Sequence, residues 1–193
     1  IIPKILTCCV GTTWATLETH GIPLINPPEW LEFEIQKGLT CGRHALKAAL
    51  KILDMSCDNV HSIPPNASLA CLTAELQIAS NMTLEVQSWH NPTLYQDLSE
   101  TSPIYLVNPG GHWVVVANLP IKGIAGWYII DSLAGVIRQP SMDKTVDTTQ
   151  YTQLLLQKIH QQAENHPNSF GVFQLKPSTP FLCIKDRFGR KIA

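Results

Sequence analysis

Between positions 104 and 131 the chain is strand-like almost without interruption. The β-branched and aromatic runs 104–107, 112–117 and 127–131 are separated by the turn Asn108-Pro109-Gly110-Gly111 and by a loop containing Gly123 and Gly126. Connections this short join antiparallel neighbours, so the segment is predicted to form an antiparallel meander. Ahead of it the apolar period is helical. Leu46, Ala49, Leu50 and Leu53 fall on one helical face, while Arg43, Lys47 and Lys51 fall on another. A second helix is predicted over 68–80, with Leu69, Leu72, Leu76 and Ala79 as its buried stripe and Ser68 as its N-cap. A third helix is predicted over 149–164, and a last strand over 170–175 closes the sheet. Helices first and strands later give an α+β layer architecture, with the N-terminal helix packed on an antiparallel sheet.

With 193 residues, 45% of them hydrophobic, the chain has material for one substantial core. The formal net charge of -1 supplies no basic field for a phosphate backbone, which argues against a nucleic-acid partner. No apolar run approaches the roughly 20 residues that span a bilayer, so no membrane association is expected. The cysteines (Cys8, Cys9, Cys41, Cys57, Cys71 and Cys183) form no C-x-x-C pair of the zinc-ribbon kind. A chain of this size does not need disulfide staples, so reduced thiols in a cytosol-like compartment are expected. The sequons Asn66-Ala67-Ser68 and Asn81-Met82-Thr83 point the other way, but such short patterns recur by chance. The start at Ile1-Ile2-Pro3-Lys4 has neither Met nor signal-peptide character and is read as the edge of a piece of a longer polypeptide. Residues 1–28 are read as an N-terminal extension, 29–176 as the main domain, and 177–193, with Lys185, Arg187, Arg190 and Lys191, as a basic tail or linker.

Cys41 stands at the first turn of the predicted helix, where unpaired N–H groups and the positive end of the helix dipole stabilise a thiolate. His112 opens a strand directly after a Gly-Gly turn, which lets its imidazole project from a sheet edge. Asp131 ends the next strand. If those two strands form a hairpin, the carboxylate lies beside the ring, orients it and stabilises imidazolium. A cysteine on a helix, with a histidine and a carboxylate on adjacent strands, is the papain-like arrangement of nucleophile, base and orienter. Gln36, five residues before the cysteine, can donate its side-chain amide, together with the Cys41 N–H, into an oxyanion hole. The other cysteines have no such company and are read as ordinary core or surface thiols.

The stretch Gln36-Lys37-Gly38-Leu39-Thr40-Cys41-Gly42-Arg43-His44-Ala45-Leu46 resembles the active-site signature of the Josephin family. Gly111-His112-Trp113 resembles that family's His-Trp pair, and Trp127-Tyr128-Ile129-Ile130-Asp131-Ser132 its aromatic strand ending in Asn or Asp plus Ser. The likeness covers about residues 36–176 and implies a papain-like α+β fold and a deubiquitinase. Such an enzyme would hydrolyse the bond after ubiquitin's terminal glycine with no cofactor. It also implies the roles: Cys41 nucleophile, His112 base, Asp131 orienter and Gln36 oxyanion donor. His44 matches a motif position too and is read as structural, since a second catalytic histidine is not required. The partner implied is ubiquitin or a ubiquitinated protein. Affinity for ubiquitin's folded body is expected from apolar residues such as Ile63, Ile121 and Ile124, on segments 57–65 and 120–126. Two alternatives remain: a papain-like protease that processes a polyprotein, acting in the host cytosol if viral, and a non-catalytic ubiquitin-binding module.

Overall fold

A computed structural model describes residues 21–86, 103–139 and 148–192. Among these, seven strands form one sheet that carries three α-helices. In chain order the elements are β1 (Ile22–Pro23), α1 (Cys41–Ile52), α2 (Leu69–Ser80), β2 (Met82–Val86), β3 (Ile104–Pro109), β4 (Val114–Ile121), β5 (Ile124–Asp131), β6 (Gly135–Arg138), α3 (Thr148–Asn165) and β7 (Phe170–Pro177). In space the strands run β1-β6-β5-β4-β3-β7-β2, and every pairing is antiparallel. The architecture is α+β, with α1 packed on an antiparallel sheet. The expected meander forms the centre of that sheet, and β7 inserts between β3 and β2.

Successive residues of a strand face opposite ways. Ile104, Leu106, Val115, Ala117, Tyr128 and Ile130 therefore join α1 and α2 in one core. Tyr105, Val107, Val114, Val116, Trp127 and Ile129 join Leu155, Leu156 and Ile159 of α3 in another. Both faces of the sheet are covered, which is why its central strands read as continuous apolar runs rather than as alternation. The predicted stripe of α1 is buried as expected, Leu46, Ala49 and Leu50 completely. Each such leucine contributes about 1.5–3 kcal/mol of burial. In α2, Leu72 and Leu76 are buried, and the Ser68 hydroxyl caps the helix by accepting the N–H of Cys71 at 3.2 Å.

Several expectations need correction. Residues 120–126 are not a loop: β4 and β5 continue to a two-residue turn at Lys122-Gly123, both with positive φ, as a tight hairpin between twisted strands requires. Ile121 therefore points into the core at 1% exposure, and Ile63 is fully buried; of the three residues expected to meet ubiquitin, only Ile124 is exposed. Strand β4 starts at Val114 rather than at His112. Residues after 177 do not form a free linker. The Arg187 N–H donates to the Ile52 carbonyl at 2.7 Å, Arg190 reaches the Asn118 carbonyl at 2.7 Å, and Ile192 is buried in the core. At the other end Ile22 and Pro23 pair with β6, so part of the expected extension supplies a sheet edge. Cys8 and Cys9 lie outside the described residues. Asn66 and Asn81 of the two sequons both have left-handed φ, and Asn81 is the C-cap of α2, a structural use for a residue that tolerates this region.

Candidate active site

Cys41 is the first residue of α1, and its preceding loop is held by short-range bonds. The Thr40 hydroxyl donates to the Lys37 carbonyl at 3.0 Å, so it does not cap the helix. Thr40 thereby leaves the first-turn N–H groups of α1 to other acceptors, and that of Gly42 reaches the Cys41 thiol. The helix start is pressed against its neighbours. A Cβ added at Gly42 would lie 3.2 Å from Ala67 Cβ and 3.3 Å from a Leu72 methyl, so any larger residue there would have to push these neighbours away by a few tenths of an ångström.

His112 sits two residues before β4 because its N–H is claimed by the turn and not by the ladder. The Asn108 side-chain oxygen accepts the N–H of His112 at 3.0 Å and that of Gly110 at 3.3 Å. Gly111, at φ 73°, takes a left-handed conformation that suits glycine and donates to the Ser169 carbonyl at 2.8 Å. Val115 pairs with Ile130, so the antiparallel register brings the start of β4 beside the end of β5. There His112 Nε2 and Asp131 Oδ1 are 2.7 Å apart, with the Asp131 side chain only 4% exposed. Asp131 Oδ1 also accepts the N–H of Leu133 at 2.8 Å, which fixes the carboxylate within its own turn. With Nε2 engaged, Nδ1 is the ring nitrogen left for Cys41, to which His112 is hydrogen-bonded.

The electrostatics follow from these contacts. Burial pushes the Cys41 thiol up. Against it act the hydrogen bond with His112, the Trp113 N–H, the imidazolium charge and the Gly42 N–H, and the balance lies below the ordinary thiol value. Burial likewise opposes charge on His112, yet hydrogen bonds to Asp131 and Cys41, and their negative charges, raise it to about 9. Both shifts favour a thiolate–imidazolium pair near neutral pH. The next residue, Trp113, is itself fixed, since its indole N–H donates to the Ala67 carbonyl at 3.2 Å.

Gln36 is half-buried. Its N–H donates to the Ser132 carbonyl at 2.8 Å, and its Nε2 donates to the Gly38 carbonyl at 2.7 Å. An amide nitrogen carries two hydrogens, so one remains for another acceptor. The structure thus brings Cys41, His112 and Asp131 into one line and ties Gln36 to the turn that follows Asp131. His44 lies one turn on, beside Glu34 in the pocket behind α1, where burial lowers its pKa. The other described cysteines, Cys57, Cys71 and Cys183, are free thiols that line no part of the Cys41 cleft.

A cleft of about 520 Å³ opens from Cys41 between the start of α2 and the turns around Gly111 and Asn168, with Leu69, Phe170 and Phe173 in its walls. Asn108 was read in the sequence as a turn former only. Its bond to Gly110, two residues on, is what an Asx turn predicts, whereas the bond to His112, four residues on, depends on the path of the Gly-Gly turn. Asn168 and Phe170 carried no signal, because only the insertion of β7 beside β3 brings them to Cys41. Among the described residues no cluster of three His, Cys, Asp or Glu side chains is placed to hold a metal ion, and no helix is long and apolar enough to cross a membrane. No family model, curated protein or solved structure matches the chain.

Proposed function

We propose that this chain is a cysteine protease of papain-like, Josephin type that hydrolyses the isopeptide or peptide bond after the terminal glycine of ubiquitin. The observation that carries the reading is the imidazole of His112 held between the Cys41 thiol and the buried Asp131 carboxylate, 2.7 Å from the latter. In the reaction the Cys41 thiolate attacks the glycine carbonyl, forming a C–S bond and an oxyanion. The Cys41 N–H and the free hydrogen of the Gln36 amide stabilise that oxyanion. Imidazolium protonates the leaving amine as the C–N bond breaks, leaving a thioester. Neutral His112 then takes a proton from water, which displaces the thiol and releases the ubiquitin carboxylate. This chemistry requires no cofactor, and a reduced thiol suits the cytosol, or the host cytosol if the chain is viral.

Ubiquitin as substrate is supported by the motif from Gln36 to Leu46, by Gly111-His112-Trp113 and by the strand ending in Asp131-Ser132. Exposed apolar side chains Ile35, Leu39 and Leu133, each within two residues in the chain of Gln36, Cys41 or Asp131, are candidates to meet ubiquitin's folded body. A polyprotein-processing protease is the second reading, favoured by the size of the cleft, which has room for side chains that a Gly-Gly end lacks.

The test compares a fluorogenic C-terminal amide of ubiquitin with a Leu-Arg-Gly-Gly peptide amide. Recognition of the folded body predicts a kcat/KM about 100-fold or more higher on ubiquitin, because remote binding energy is lost with the peptide. Comparable rates on the two would favour the polyprotein reading. A non-catalytic module would show slow alkylation of Cys41 by iodoacetamide at pH 6, where a thiolate–imidazolium pair reacts fast.

A further inference from the structure

Ser132 follows Asp131 and is 4% exposed. Its hydroxyl donates to Gln36 Oε1 at 2.5 Å, and its carbonyl accepts the Gln36 N–H at 2.8 Å. One residue therefore grips Gln36 at both its main chain and its side chain. The turn that does so is itself stiffened, since Asp131 Oδ1 accepts the Leu133 N–H and the Asp131 carbonyl accepts the Ala134 N–H at 3.2 Å.

The two ends of a glutamine amide are nearly equal in shape and opposite in function: one accepts hydrogen bonds and the other donates two. An oxyanion site requires the donor end. A hydroxyl donor at Oε1 and the Gly38 carbonyl at Nε2, 2.7 Å away, both select the same orientation. Removing the hydroxyl leaves only the Gly38 carbonyl to choose between them. The amide can then turn, and its flipped form presents an oxygen lone pair where negative charge develops.

We propose that Ser132 is a positioning residue for the oxyanion donor, holding the Gln36 amide so that its free N–H faces the carbonyl attacked by Cys41. Consecutive residues of one turn then serve both halves of the site: Asp131 sets the imidazole and Ser132 sets the oxyanion donor. This rests on the reading that Cys41 attacks an acyl carbon.

The test is a double-mutant cycle on the full chain, with Gln36→Ala, Ser132→Ala and the double variant assayed on the ubiquitin amide and on p-nitrophenyl acetate. The ester develops an oxyanion on Cys41 whatever the natural substrate. Gln36→Ala should lower kcat by about 10² to 10³, the usual loss for one oxyanion donor. Ser132→Ala should lower kcat about tenfold, the rate equivalent of one weakened hydrogen bond, with KM unchanged. Added to Gln36→Ala, it should cost less than about twofold, because its effect runs through a side chain already absent. Iodoacetamide alkylation, which forms no oxyanion, should be equally fast in parent and Ser132→Ala. Multiplicative losses in the double variant, or slower alkylation in Ser132→Ala, would overturn the proposal by placing Ser132's effect on the nucleophile or the fold. Inactivity on ubiquitin with a coupled cycle on the ester would instead reject the substrate class and keep the positioning role.

Discussion

Helices α1 and α2 are both 12 residues long and lie side by side on the same face of the sheet, but their N-termini are finished in opposite ways. At α2 the Ser68 hydroxyl turns inward and accepts the Cys71 N–H. At α1 the equivalent hydroxyl, on Thr40, turns back to the Lys37 carbonyl and leaves the helix uncapped. The capped end gains stability, worth about 1 kcal/mol for such a cap. The uncapped end keeps its N–H groups and dipole for a negative charge on Cys41, at the cost of that stability. A residue of the same chemical kind, a hydroxyl before the helix, is thus spent on structure in one place and withheld in the other.

The largest expected effect lies at the uncapped end. Cys41→Ala should abolish turnover and covalent capture of a ubiquitin-electrophile probe while leaving the circular dichroism spectrum unchanged. Capture by the Ala variant, or attachment at another cysteine, would remove α1's N-terminus from the chemistry.

Asp131 comes next, because the pair at α1 depends on the charge behind His112. Asp131→Ala should lower kcat by about 10² or more, the low end of what a positioned base contributes, while Asp131→Asn keeps an acceptor for Nε2–H and loses less. Turnover should follow a bell in pH whose alkaline limb, set by imidazolium losing its proton, lies near the His112 value of about 9. Asp131 raises that value, so Asp131→Asn should move the limb to lower pH. The same shift is a stability statement. The His112 pKa is above its unfolded value of 6.5, so its contribution is complete below 6.5 and lost as pH rises through about 9. An alkaline limb that does not move in Asp131→Asn would mean that another group sets it.

Converting one helix end into the other should give a smaller effect. Thr40→Asp supplies a capping carboxylate, so it should stabilise α1 by a few tenths of a kcal/mol and slow alkylation of Cys41 at pH 6 about several-fold, because a like charge disfavours the thiolate. Faster alkylation would contradict the dipole account. Smallest of all, Ser68→Ala should lower urea-unfolding stability by about 1 kcal/mol with Cys41 alkylation unchanged. A matching fall in alkylation would show that the two helix ends are coupled across the Gly42–Ala67 contact.

The sequence alone determined the elements whose signals are local. The stripe of α1, the cap and span of α2, the span of α3 and the central strands were legible because each depends on periodicity, a capping hydroxyl or a turn within a few residues. Cys41, His112 and Asp131 were legible as candidates for the same reason, as a cysteine at a helix start and a histidine and carboxylate at strand ends. Only the tertiary structure decided the long-range facts. The antiparallel register of β4 and β5 sets His112 against Asp131, the insertion of β7 beside β3 builds the cleft wall with Phe170, and packing in the core shared with α1 and α2 buries Ile121 and Ile63. The docking of residues 184–192 against α1 and β4, and the bond from Ser132 to Gln36 across 96 residues, were likewise invisible. These depend on contacts between segments far apart in the chain. A sequence read along its length carries no term for which distant donor meets which acceptor.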